Sequence, residues 1–241
     1  MPTSKDKLVG KKIIVVGGSS GIGAGAAAGL LEHGAHVTII SSSEENLKTA
    51  LQKLNHPNVK GDVGNVRDEP AYTSVLQRLA PVDHIVYSSV DKIIRGAIAD
   101  ADLEEAKHCF GVKFWGSALT GKIVSKHDII RPGGSLTLTS GTGAIKPGTT
   151  ASIGGSLNAG LFTMTQGLAN ELKEKKIRVN CVVPGVVQTE LWDKMGQSKE
   201  QQIETFKKVG EGLPVGFVAT PEDIAEAYLY CRCFLIDRGK V

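Results

Sequence analysis

The sequence has no long hydrophobic run and no run of one charge. No apolar stretch approaches the roughly 18 residues of a membrane-spanning helix, and the N-terminus, MPTSKDKLVG, is polar. We therefore expect neither membrane insertion nor secretion, and a cytoplasmic location. The 28 Lys and Arg are scattered among 25 Asp and Glu, with a net charge of +3. Because nucleic-acid binding needs a concentrated basic surface, we expect neither nucleic acid nor an anionic membrane as a partner.

Cysteine and histidine are few and are not spaced for a metal or a disulfide. Cys109 and Cys181 stand alone in apolar segments, and Cys231 and Cys233 are too close together for an easy disulfide. The six histidines show neither the spacing of metal ligands nor a nucleophile motif. We expect four reduced thiols and no metal.

The length and the order of predicted elements indicate one domain over residues 1–241. With 241 residues, of which 41% are hydrophobic, the chain can bury one substantial core. Apolar, strand-like runs occur at residues 13–16, 36–40, 84–88, 135–139 and 178–183. Helical patterns occur at residues 23–33, 44–55, 70–79, 103–126, 155–175 and 221–230. This alternation predicts an α/β fold with a doubly wound parallel sheet of the Rossmann type. The Gly-, Ser- and Thr-rich residues 133–160 predict a mobile loop that leads into a weakly started helix.

The first predicted strand runs into the glycine-rich sequence KIIVVGGSSGIG. Gly17 would permit a sharp turn, Gly21 would let the backbone approach a pyrophosphate, and Gly23 would let helix and strand pack closely. The helix that follows points free N–H groups at the loop, which favours a diphosphate. The alternative is an ordinary tight turn between strand and helix. The predicted cofactor contacts here are Gly17, Ser19, Ser20, Gly21, Ile22 and Gly23.

The second predicted strand ends in Ser41, Ser42 and Ser43, where NAD-selective folds usually carry an acidic residue. Three hydroxyls leave room for a 2′-phosphate, so we expect NADP(H), although no Arg or Lys in this stretch could pair with that phosphate. The alternative is a polar loop that caps the next helix. Farther on, Asp62, followed by Val63, could lie near an adenine amine, or could be a loop residue that makes a turn.

The chain resembles the short-chain dehydrogenase/reductase family over nearly its whole length. The motifs that carry the resemblance are VVGGSSGIG, GDV at 61–63, TLTS at 137–140, RVNCVVPGVVQTE at 178–190 and TPEDIAEAYLY at 220–230. The resemblance implies a nicotinamide cofactor, with the PGxxxT segment along the nicotinamide. The predicted strand at residues 84–88 corresponds to the family's fourth strand, and its end belongs to the cofactor site. The residues it adds to the cofactor site are Ser88, Ser89, Lys113, Pro184, Gly185, Val187 and Thr189.

The resemblance also implies features outside the cofactor site. Residues 190–216 correspond to the substrate lid of the family, or form two short helices that cover a cleft whatever the ligand. The helices at 103–126 and 155–175 are those that commonly form homodimers or homotetramers in the family. In the family, a last strand follows the position of residues 234–241. The edge of the sheet is therefore in doubt in this chain.

The catalytic residues of the family are largely absent. The sequence contains no YxxxK, and counting back from TQGLANEL puts the family's Tyr position at Gly154 and its Lys position at Asn158. The family's Asn position falls on Lys113 in VKFWG, and its Ser position on Ser140 or Gly141.

Lys113 and Ser140 are therefore the candidate catalytic residues. Lys113 could restore a positive charge over the nicotinamide ribose, or could extend along its aromatic neighbours to solvent or to a subunit interface, away from the cofactor. Ser140 could bond a substrate heteroatom, or could cap its own backbone. Tyr87 could offer a phenol near the end of its strand, or could be packed against the glycine-rich loop.

This loss of catalytic residues restricts the expected chemistry. Hydride delivery to a neutral ketone builds an alkoxide, which needs a positioned acid. An iminium needs only the hydride, and a conjugated C=C bond can be protonated later by water. TLTSGTGAIKP and EDIAEAYLY resemble a subgroup of fungal secondary-metabolite reductases from indole-alkaloid pathways, in which NADPH-dependent iminium reduction can be joined to a Diels-Alder cyclisation. We expect a reductase of an activated C=N or C=C bond in a small natural-product intermediate. The alternatives are a non-redox cyclase or isomerase, and a non-catalytic NADPH-binding protein.

Overall fold

Six parallel strands form one sheet in the computed structural model, which describes residues 5–196 and 198–233. The strands are β1 (Lys12–Val16), β2 (His36–Ser41), β3 (Val59–Val63), β4 (Val82–Tyr87), β5 (Ile130–Thr139) and β6 (Arg178–Val182). Their order across the sheet is β3-β2-β1-β4-β5-β6. The predicted doubly wound α/β fold is confirmed. The order in which strands are added to the sheet reverses between β1 and β4. In such sheets, ligands bind at the carboxyl ends of the strands at this position.

Helices cover both faces of the sheet, so the domain has three layers. The helices are α1 (Gly21–Glu32), α2 (Glu44–Leu54), α3 (Glu69–Leu79), α4 (Leu103–Phe110), α5 (Gly116–Lys126), α6 (Ser152–Glu171), α7 (Lys199–Glu211) and α8 (Pro221–Cys233). Strand β1 sends Ile13 and Val15 into a core with α1, α2 and α8, and Ile14 and Val16 into a core with α3, α5 and α6. This alternation explains why its sequence is apolar throughout. Within the described residues, no helix has the length and the apolar character needed to cross a bilayer.

The structure corrects several predicted elements. Strand β3 was not predicted, because its sequence VKGDV is polar and lies at the edge of the sheet, where little of it is buried. Strand β5 begins five residues earlier than predicted. Within residues 133–160, the predicted loop is confined to residues 140–151, which include a short 3₁₀ turn at Thr142–Ala144, because strand β5 extends to Thr139. The loop leads into a helix as predicted, and that helix, α6, begins at Ser152.

The predicted helix over residues 103–126 is interrupted by a single π-helical turn, Gly111–Trp115. At the end of α6, the residues predicted to continue the helix form a 3₁₀ turn, Lys173–Lys175. Among the described residues, Cys109, Cys181 and Cys231 form no disulfide. The side chain of Cys233 and the predicted doubt about the sheet edge at residues 234–241 lie outside what the structure describes.

Candidate functional site

Gly17, Gly21 and Gly23, three of the four glycines in the loop after β1 and the first turn of α1, are each required by close packing or by backbone conformation. Gly17 has φ +80°, and a Cβ there would lie 2.7 Å from the backbone of Ser89, just beyond the end of β4. A Cβ at Gly23 would overlap the carbonyl of Gly17. Gly21 has φ +51°, which favours glycine. The glycine-rich loop therefore lies against the end of β4, where the Ser88 N–H donates to the Val16 carbonyl at 2.9 Å.

Helix α1 starts with exposed backbone donors. Its N-cap, Ser20, makes no side-chain cap bond to the described residues, and its first turn contains no acidic residue. The Gly21 N–H donates instead to Oε2 of Glu190, at 2.8 Å, from the segment after β6. The next residue, Ile22, packs against the α1 side of the core. An anion therefore already sits at the start of α1, and the chemistry of this position suits a diphosphate.

The serines at the end of β2 take different positions. Ser41 is buried, and its Oγ accepts hydrogen bonds from Ser19 Oγ at 3.1 Å and from the Ser43 N–H at 3.3 Å. Ser43 is the N-cap of α2, where its Oγ accepts from the Asn46 N–H at 3.2 Å. Ser42 is exposed. The capping alternative holds for Ser43, whereas Ser19, in the glycine-rich loop, donates to Ser41, and Ser42 is exposed.

Asp62 lies within strand β3, so the interpretation of this residue as part of a turn is wrong. One guanidinium nitrogen of Arg78 contacts both of its carboxylate oxygens, at 2.7 and 2.6 Å. The neighbouring Val63 is 46% exposed. A contact from either residue to an adenine stays a prediction.

The segment after β6 runs from the end of β5 to the glycine-rich loop. The Pro184 carbonyl accepts from the Thr142 N–H at 2.9 Å, and a Cβ at Gly185 would meet no atom within 4 Å. Val187 is buried and bridges to Ala219. Thr189 lies beside Gly21. A Cβ built at Gly21 would be 3.3 Å from the Thr189 side chain.

Lys113 and Ser140, the two candidate catalytic residues, are in contact. Lys113 sits in the π-helical turn, and its Nζ donates to the Ser140 carbonyl at 3.0 Å. Burial of the ammonium group lowers the pKa of Lys113 to about 8. The side chain therefore points into the protein, and the alternative in which it extends to solvent is wrong. Turns of this π type often occur at functional sites.

Asn158 completes this cluster from helix α6. Its backbone carbonyl accepts from Ser140 Oγ at 2.8 Å, so the serine hydroxyl already has a partner. The Oδ1 atom of Asn158 is buried and has no hydrogen-bond partner among the described residues. A buried acceptor without a partner costs free energy, which indicates a place for a donor from a bound molecule or from water.

Gly154, which is predicted to stand at the family's Tyr position, is covered by backbone. A Cβ at Gly154 would lie 2.7 Å from the carbonyl oxygen of Ile94 in the loop after β4. That loop is fixed by ion pairs of Asp91 with Arg67 and of Lys92 with Glu105. Another contact, from the Gly96 N–H to the Thr150 carbonyl at 2.9 Å, ties it to the start of α6.

Tyr87 does not replace the missing phenol. It is buried, and its Oη donates to the Val112 carbonyl of the π-helical turn at 2.5 Å. Burial raises the pKa of Tyr87 well above its usual value. The residue therefore packs beneath the π-helical turn, and the expected packing against the glycine-rich loop is wrong.

The predicted lid contains a 3₁₀ turn, Glu190–Met195, and helix α7. Trp192 is 4% exposed, donates from Nε1 to the Val187 carbonyl at 2.9 Å, and stacks edge-on against Phe206. The guanidinium of Arg95 lies 5.8 Å from the Trp192 ring centroid. The loop after β4 and the predicted lid are thus in contact, at Arg95 and Trp192.

A cavity of about 410 Å³ lies behind the loop after β4. Its walls come from that loop, from α4 and from the start of α6, and include Lys92, Ile94, Glu105, Cys109 and Ile153. The cavity therefore adjoins the segment that covers Gly154.

Sequence reasoning did not find Glu190, Ile94, Arg95 or the free acceptor of Asn158. The contacts of Glu190 and Ile94 involve backbone atoms far away in the chain, and no residue pattern encodes such contacts. For Asn158 a signal was available, since it is predicted to stand at the family's Lys position.

Comparisons with known proteins agree with this geometry. The SDR-like Rossmann domain family matches residues 4–237. The short-chain dehydrogenase/reductase malC of Malbranchea aurantiaca is 32% identical over 94% of this chain and 90% of its own length. The 2,3-dihydro-2,3-dihydroxybenzoate dehydrogenase of Bacillus subtilis is 30% identical, over 92% and 88% respectively. Among solved structures, the MalC reductase/Diels-Alderase of Malbranchea aurantiaca superposes with a TM-score of 0.84 and 30% identity, covering 99% of this chain and 95% of that one.

Proposed function

The chain belongs to the short-chain dehydrogenase/reductase family, and from that premise we propose that it is an NADPH-dependent reductase of secondary metabolism. Its substrate would be an activated C=N bond, as in an iminium, or an activated C=C bond in a small natural-product intermediate. Cyclase activity on the same substrate is the second candidate.

The residues present fit a dinucleotide. The close-packed glycine loop and the backbone donors at the start of α1 can bind a diphosphate. The Oδ1 atom of Asn158, which has no partner among the described residues, can accept a hydrogen bond from a hydroxyl. The preference for NADPH rests on the hydroxyls of Ser19 and Ser42 and on the lack of a carboxylate at 41–43. When bound, this cofactor supplies a hydride. Lys113 would hold its positive charge beside the nicotinamide ribose, and Thr189 would contact the nicotinamide end.

The single observation that carries the proposal is the contact between Gly154 and the Ile94 carbonyl. A proton donor has no room at this position, and Ser140 donates its hydroxyl proton to Asn158. An alkoxide formed from a ketone would therefore find no acid there, at a loss on the order of several kcal/mol. An iminium carbon accepts a hydride to give a neutral amine, with no proton needed. This chain's residues therefore suit a substrate that already carries positive charge.

The second candidate rests on the similarity to a reductase/Diels-Alderase. A closed cleft can lower the barrier of a cyclisation by holding one reactive conformer. The contact between Arg95 and Trp192 joins two candidate walls of such a cleft. We also propose that residues 190–216 act as a substrate lid. The exposed Trp115, the last residue of the π-helical turn, supports a homodimer or homotetramer formed through α4, α5 and α6.

Incubation of the protein with NADPH and a cyclic iminium salt tests the function, with absorbance at 340 nm as the readout. We expect loss of absorbance with the iminium and none with the corresponding ketone. Product formed without NADPH consumption would favour the cyclase. Equal turnover of ketone and iminium would overturn the argument from Gly154, and binding of NADPH without any product would indicate a non-catalytic protein.

A further inference from the structure

A carboxylate occupies the backbone donor that opens helix α1. Oε2 of Glu190 accepts from the Gly21 N–H at 2.8 Å, across 169 positions of the chain. In the described structure, neither the N-cap Ser20 nor an acidic residue of the first turn of α1 competes for this end of the helix. Glu190 is therefore the anion that satisfies the positive end of α1.

A dinucleotide would need the same place. The backbone at Gly21 is in the left-handed region and carries no side chain, so an anionic group can approach it closely. A diphosphate carries more charge than a carboxylate and would bind the same donors. Two anions at one N–H repel each other, so Glu190 has to leave when a diphosphate arrives. Its side chain is exposed, which leaves it free to turn away.

Glu190 is also the first residue of the turn that leads into the predicted lid. Two residues later, Trp192 is buried between Phe206 and Arg95. On the other side, Thr189 packs beside Gly21. Movement of the Glu190 side chain therefore acts on a short turn that contacts both the glycine-rich loop and the loop after β4.

We propose that Glu190 is a resident anion of the cofactor site, which the diphosphate of the dinucleotide displaces, so that cofactor binding releases the first turn of the lid. This inference rests on the proposed function, because the displacing ligand is its cofactor. Glu190 is then a positioning residue that sets the affinity for the cofactor and takes no part in the chemistry.

The test compares NADPH binding to the wild type, to Glu190→Gln and to Glu204→Gln, by fluorescence titration at low and high salt. Glu204 is an exposed residue of α7, so its variant matches the change in charge. We expect Glu190→Gln to bind NADPH about five- to twenty-fold more tightly at low salt, with the gain reduced at high salt. Glu204→Gln should match the wild type. Equal or weaker binding by Glu190→Gln would overturn the inference.

Two further measurements separate this inference from the proposed function. Inorganic pyrophosphate serves as a probe without a nicotinamide, and thermal shifts should show tighter binding to Glu190→Gln than to the wild type. If pyrophosphate follows this pattern and NADPH binds neither protein, the proposed function fails and the displacement stands. If pyrophosphate does not distinguish the variants, the displacement is wrong. Amide hydrogen exchange over residues 190–196 should also be faster in free Glu190→Gln than in the free wild type, and equal rates would contradict a role in holding the turn.

Discussion

Lys113 places an ammonium group where water has little access, and its pKa of about 8 makes its charge depend on pH near neutrality. The protonated form predominates below pH 8 and the neutral form above it. If the charge helps to hold the cofactor, NADPH affinity should be constant below about pH 7 and should fall as pH rises through 8. Lys113→Met should bind NADPH about tenfold more weakly and lose this pH dependence. Fluorescence titrations from pH 6 to 9.5 measure both effects.

Lys122→Met provides the control for Lys113. Lys122 is an exposed residue of the neighbouring helix α5 that pairs with Glu69. The variant therefore removes a positive charge at a distance from Ser140. Its variant should keep the affinity and pH profile of the wild type. If Lys113→Met had unchanged affinity, Lys113 would not belong to the cofactor site.

Gly154 and Gly167 make a matched pair on helix α6. A Cβ at Gly154 would lie 2.7 Å from the Ile94 carbonyl, whereas one at Gly167 would meet nothing within 4 Å. We expect Gly167→Ala to raise the free energy of unfolding by about 0.5–1 kcal/mol, because alanine favours helix. Gly154→Ala should lower it by about 1–2 kcal/mol, since the loop after β4 must shift. Urea denaturation measures both, and a gain in stability for Gly154→Ala would contradict the packing described.

At the scale of single elements, the π-helical turn is fixed by a tyrosine beneath it. Tyr87 Oη donates to the Val112 carbonyl. A Cβ at Gly116 would overlap the same Tyr87 Oη atom. Gly116→Ala should therefore destabilise the protein by about 1–3 kcal/mol. Tyr87→Phe should cost about 1–2 kcal/mol, because it leaves the Val112 carbonyl without its partner.

The double variant Gly116→Ala/Tyr87→Phe distinguishes this arrangement from two independent defects. Removal of the hydroxyl makes room for the added methyl group, so the double variant should be more stable than the sum of the single effects, by about 1 kcal/mol. Chemical denaturation of the four proteins completes the cycle. Strict additivity would show that Gly116 and Tyr87 do not interact.

The predictability of each element followed its burial. Strands β1 and β2 bury both faces, and their sequences are therefore apolar runs that predict strands. Strand β3, at the sheet edge, contains Lys60 and Asp62 and shows no such apolar run. The π-helical turn has an ordinary helical sequence and depends on Tyr87 from another element. In the candidate site, glycine spacing marked the loop after β1, but the contacts of Glu190 and Ile94 arise only from the folded chain.

At the scale of the whole molecule, Asp83 joins the starts of three strands of the sheet. Its carboxylate accepts from the Lys12 N–H at 2.8 Å, from Lys11 at 3.3 Å and from Arg131 at 3.2 Å. Burial acts to raise the pKa of Asp83, but these partners outweigh it and lower the pKa below 3.8. The stabilisation is therefore complete above about pH 4 and is lost as pH falls through the lowered pKa.

Asp83→Asn should lower the free energy of unfolding by about 1–2 kcal/mol at pH 7. The difference from the wild type should stay constant down to about pH 5 and shrink below pH 4. Asp128→Asn, which removes a 99% exposed carboxylate paired with Lys175, should change stability by less than about 0.5 kcal/mol. Denaturation curves between pH 3 and 7 provide the measurement, and a difference that did not shrink between pH 5 and pH 3 would contradict the role of the charge.

The covered position at Gly154 also constrains how this chain could change over generations. A bulky side chain introduced at position 154 would clash with main-chain atoms of the neighbouring loop. Such a mutation would destabilise the protein, so it would be selected against before any benefit could appear. A shorter or redirected loop would have to come first. Introducing a proton donor at position 154 would thus require at least two mutations in a fixed order, and directed evolution starting from this protein should yield loop deletions near Ile94 before an aromatic residue at position 154.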